Sequence, residues 1–195
     1  MQSENVLDVV QEPEKVNETK NEIAAIRDRL QEAKKIHFAS RQAWKEVGAT
    51  KRQADEALIK LVTDGFGPPS AKELHDARVA KWSSMTSHID ALKKFIGIAT
   101  EAADTLDEMV HLSKVDFVAW MDRAIAELRA AMPGYNASTA SSRVSEQPQH
   151  REGGQLLLDS QRQVSGVRQL IKDAQSMIEA TEQEMKALSV KWRTV

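Results

Sequence analysis

The chain has 195 residues, 41% hydrophobic and 29% charged, with a net charge of −2 and a pI near 6.2. This near-neutral balance excludes an overall field that would draw the chain onto nucleic acid or an anionic membrane. Cysteine is absent, which excludes disulfides, thiolate metal sites and a cysteine nucleophile.

Aromatic residues, at 5%, are too few for a broad globular core, whereas a narrow helical seam of Leu, Ile, Val, Ala and Met needs few of them. Residues 1–12 read as a partly ordered tail in which Val6, Leu7, Val9 and Val10 can pack locally. This start has neither a basic segment nor an apolar run of signal length, so a cytoplasmic location is expected, with leaderless export as the other route. Pro13 suits the first turn of a helix, where its missing N–H costs nothing.

The first long helix is predicted from Pro13 to Asp64. Its seam is Val16, Thr19, Ile23, Ile26, Leu30, Ala33, His37, Ser40, Trp44, Val47, Lys51, Ala54, Leu58 and Leu61, at alternating steps of three and four. Gly65-Phe66-Gly67-Pro68-Pro69 then breaks the helix. Ser70 and Glu73 match a capping box that opens the next one.

The second helix is predicted over 70–132, with Trp82, Met85, Ile89, Leu92, Ile96, Ala99, Ala103, Leu106, Val110, Ser113, Phe117, Trp120 and Ala124 on its seam. Phe95, Ala102, Met109, Val118, Met121 and Ile125 widen that face, which makes this the central helix, in contact with both others. Pro133-Gly134 ends it. Residues 133–154, rich in Ser, Gly, Thr and Pro, read as a flexible linker. A third helix follows over 155–195, its seam running through Leu157, Ser160, Val164, Val167, Ile171, Ala174, Ile178, Thr181, Met185, Leu188, Trp192 and Val195.

The predicted fold is therefore all-α: an elongated bundle of three long helices, an antiparallel coiled-coil hairpin over 13–132 plus a third helix after the linker. Charge supports the hairpin, since residues 27–52 hold eight Lys or Arg against three acids and residues 98–128 hold seven acids against two bases. No window reaches the length of a membrane span, because Thr100 and Glu101 interrupt the richest stretch, Phe95 to Ala103.

Few residues carry chemistry. Glu108 and His111 form one Glu-x-x-His pair, but a bundle di-metal site needs two such pairs and two further carboxylates, so no metal or cofactor is expected. His37 and Lys51 stand on the first seam, each read first as a polar residue that hydrogen-bonds or sits near solvent and second as one that sets register or responds to pH. Lys34, Lys35, Arg41, Lys45, Lys51 and Arg52 form a basic run that helical spacing is expected to scatter, with no aromatic platform, so nucleic-acid binding is not expected. Asn17-Glu18-Thr19 and Asn136-Ala137-Ser138 match glycosylation acceptors by chance. The chain shows no phosphate-binding Gly loop and no Ser nucleophile elbow.

The expected function is that of a non-enzymatic scaffold or assembly subunit, pairing through its seams with its own copies or with a partner protein. The residues nominated for that pairing are Trp82, Leu92, Ile96, Leu106, Val110, Phe117, Trp120, Val164, Ile171, Ile178, Leu188 and Trp192. The alternative is a membrane-active helical protein, a pore-forming toxin component or a membrane-remodelling hairpin, which would expose the apolar run Phe95–Val110. Heptad periodicity is shared by many unrelated scaffolds, tethers and toxin components and assigns no family.

Overall fold

A computed structural model describes residues 13–63 and 70–193, with side chains over 22–49, 52, 56 and 70–190. The described residues form four helices: α1 (Pro13–Thr63), α2 (Ala71–Ala131), α3 (Ala137–Glu146) and α4 (Pro148–Arg193). There is no strand among them, so the all-α class holds. The tail 1–12, the turn 65–69 and Val195 lie outside the described residues, as do the side chains of Val16, Thr19, Lys51, Ala54, Leu58, Leu61 and Trp192.

The capping box forms as the sequence suggests. The Ser70 backbone N–H donates to the Glu73 carboxylate at 2.7 Å, and the Glu73 N–H donates back to Ser70 Oγ at 3.3 Å. The bond from the Ser70 N–H, then the one from its hydroxyl, holds the Glu73 carboxyl below its usual range.

The stretch expected to be a flexible linker is corrected. Residues 137–146 form α3, and the last long helix begins at Pro148 rather than Gln155. Two local features account for this. Asn136 is an N-cap with extended backbone, its Oδ1 accepting from the Thr139 N–H at 2.9 Å. Gln147 is also extended (φ −65°, ψ 141°), as the ring of the following proline demands, and Pro148 then occupies a first-turn position. Pro148 therefore separates two helices instead of marking a loop.

The chain divides into two compact units. Unit 1 takes α1 through Lys34, α2 from Leu106, all of α3, and α4 through Arg162; unit 2 takes α1 from Lys35, α2 through Thr105, and α4 from Gln163. In unit 1, Ile23, Ile26, Leu30 and Ala33 of α1 are buried together with Leu106, Val110, Phe117 and Trp120 of α2, Ala140 and Val144 of α3, and Leu157 of α4. Ion pairs fix the direction: Glu22 meets Arg123 at 2.6 Å and Arg29 meets Asp116 at 2.8 Å, so seven residues forward on α1 are seven back on α2. All four side chains are partly exposed, so the pairs set register more than they add stability.

In unit 2, Val47 of α1, Met85, Ile89, Leu92, Phe95 and Ala99 of α2, and Val164, Val167 and Ala174 of α4 are buried. Trp44 and Phe95 form a tilted ring pair with centroids 5.1 Å apart. Lys81 and Glu184 tie α2 to α4 at 2.9 Å. Small polar residues also sit on the buried faces. The Ser40 hydroxyl donates to the Ile36 carbonyl at 3.0 Å and the Thr181 hydroxyl to the Met177 carbonyl at 2.8 Å, so each satisfies itself within its own helix.

Candidate functional site

The residues nominated for pairing fall into three groups. Leu106, Val110, Phe117 and Trp120 are buried in unit 1, and Leu92 and Val164 are buried in unit 2. Ile96, Ile171, Ile178 and Leu188 are half-buried, and the Trp192 side chain lies outside the described residues. Trp82 is exposed. The buried members pack against helices of their own chain, so in this structure their heptad positions serve the interior of each unit.

Two buried positions of unit 2 were not on the nominated seam. Phe95 belongs to the flanking stripe and His88 to neither stripe; both are buried. The signal was present in the spacing, since Met85, His88, Leu92, Phe95 and Ala99 also follow alternating steps of three and four. The face of α2 in unit 2 is wide enough to hold both series, in keeping with a helix that meets two others.

Phe117 is closely packed on three sides. Its ring stacks on Trp120 with centroids 5.6 Å apart, approaches His150 at 5.4 Å, and lies directly on the backbone of Gly153. A Cβ at Gly153 would stand 2.4 Å from Phe117 Cε2, closer than real carbon atoms come. Glycine is required there by the ring above it, although the residue sits within a helix.

His37 is half-buried in unit 2, with Nε2 facing the backbone of Gly166 on α4. Burial, and then the Arg41 charge, lowers its pKa below the usual histidine value. A depressed folded-state pKa means the unfolded chain takes up the proton first. The stabilising contribution is therefore present above the unfolded value of about 6.5 and is lost as pH falls through it toward the folded value. Urea unfolding from pH 8 to 5 should show stability falling through this window, and His37→Gln should flatten that arm. Parallel curves for the two proteins would remove His37 as the cause.

A surface groove in unit 2 of about 530 Å³ is lined by His75, Arg78, Val79, Trp82, Ser83 and Ser189. Val79 and Trp82 give it an apolar floor, and Trp82 is 38% exposed. The Ser189 hydroxyl donates to the Lys186 carbonyl at 2.7 Å and is therefore engaged by its own helix rather than by a base. The groove suits an apolar side chain from another helix better than it suits nucleophilic chemistry. Elsewhere, Glu108 and His111 are both exposed on α2, and no three His, Asp or Glu residues among those described gather to hold a metal ion. No described helix is long and apolar enough to cross a membrane.

Compared with protein-family models, curated proteins and solved structures, the chain matches none.

Proposed function

We propose that the chain is a non-enzymatic coiled-coil scaffold or assembly subunit, pairing with its own copies or a partner protein through the outer faces of its helices. The observation that carries this reading is where large apolar side chains remain outside the core. Leu112, Val115 and Val118 recur along the outward side of α2, and Val79 and Trp82 floor the groove of unit 2; all five are exposed. Apolar side chains clustered at helical spacing on a surface mark places where another surface is received.

Because Leu92 and Leu106 are buried, Asp at either position would unfold the unit that holds it and could not report on assembly. Substitutions at exposed positions can. Size exclusion with light scattering over a concentration series should give a mass that is a multiple of 21.8 kDa, and Val115→Glu should reduce it without loss of helicity. A constant 21.8 kDa, with the chain floating on lipid vesicles instead, would replace this reading with the membrane-active one.

A further inference from the structure

We propose that the α1 face carrying Phe38, Arg41 and Lys45 docks, antiparallel, on the α2 face carrying Glu108, Leu112 and Val115 of a second copy of this chain. The inference rests on the assembly reading and names its surfaces. Phe38 is 63% exposed, more than any other large hydrophobic side chain described. It stands within the basic run, between Lys35 and Arg41. Phe38 and Lys45 are two helical turns apart with Arg41 between, and all three are exposed. No acidic residue occurs between Glu32 and Glu46, so this face is apolar and cationic.

The counterpart lies on α2. Glu108 and Val115 have the same seven-residue spacing, with Leu112 between, and all three are exposed. Setting Phe38 opposite Val115 in antiparallel order brings Lys45 opposite Glu108 and lays the Arg41 stem over Leu112. Parallel order would set Lys45 opposite Asp122 but Arg52 opposite Arg129, whereas antiparallel order sets Arg52 opposite Glu101. Antiparallel order also opposes the two helix dipoles. Phe38 would supply most of the affinity, as a buried aromatic anchor, and the charges the register. An anionic lipid surface could also attract the cations, but the chain itself carries a face of opposite charge with an apolar centre of matching length.

The test is light scattering on the full chain over a concentration series. Phe38→Ser should weaken self-association about tenfold or more, with helicity unchanged by circular dichroism. Lys45→Glu and Glu108→Lys should each weaken it, and the double variant K45E/E108K should restore it. Assembly that ignores all three single substitutions overturns this pairing and leaves the assembly reading standing. A mass of 21.8 kDa at every concentration overturns both. A monomer that floats on phosphatidylserine vesicles, and no longer does so with Lys45→Glu, reassigns the face to a membrane.

Discussion

Leu106→Ala should lower the free energy of unfolding by about 2–5 kcal/mol, whereas Leu158→Ala in the same unit should change it by less than about 0.5 kcal/mol. The chemistry removed is the same and only the surroundings differ. Leu106 is fully buried between helices, and Leu158 is 52% exposed on α4. Truncating the buried side chain loses its transfer free energy and leaves a cavity that the surrounding helices close only in part. For a chain of this size a loss of that order is a large share of the total stability. Urea denaturation at one fixed protein concentration measures both variants. Equal, small losses would mean that the seam around Leu106 is open in the folded chain and that its burial within unit 1 is wrong.

Neighbouring glycines should respond with opposite signs. Gly154→Ala should stabilise by about 0.5–1 kcal/mol, because a Cβ there meets nothing within 4 Å and alanine is the better helix former. Gly153→Ala should destabilise by about 1–3 kcal/mol, since its Cβ would stand 2.4 Å and 2.8 Å from two atoms of the Phe117 ring. The ring is held by Trp120 and His150 and has little room to yield. Phe117→Leu should relieve the clash, so a double-mutant cycle between positions 117 and 153 should return a favourable coupling for the pair of substitutions. If Gly153→Ala stabilised as Gly154→Ala does, the ring could not lie on the α4 backbone as described.

These two residues also mark where reading the sequence succeeds and where it stops. Leu106 was placed on the core face by spacing alone, as were Leu30, Leu92 and Val167, because heptad-spaced residues must share one side of a helix. The Ser70–Glu73 box was equally legible, since capping is a contact between residues three apart and needs no distant partner. The same spacing left the identity of the partner open, and the structure answers it with helices of the same chain for the buried positions.

Glu152-Gly153-Gly154 resembled loop chemistry. Glycine is a poor helix former, and only the Phe117 ring, remote in sequence, explains why it is required inside α4. Asn136 and Pro148 carried the signals for α3 and for the start of α4, but a Ser-rich setting gives such signals a loop meaning until Ala140 and Val144 have a core to enter.

Periodicity and local contacts were enough for the helical class, the capping box that opens α2, the close of α2 before Pro133 and most of the buried faces. The tertiary structure alone shows that Gly153 must be glycine and that α3 has a core for Ala140 and Val144 to enter. Each of those depends on which side chain arrives from a distant part of the chain, and no local pattern records that.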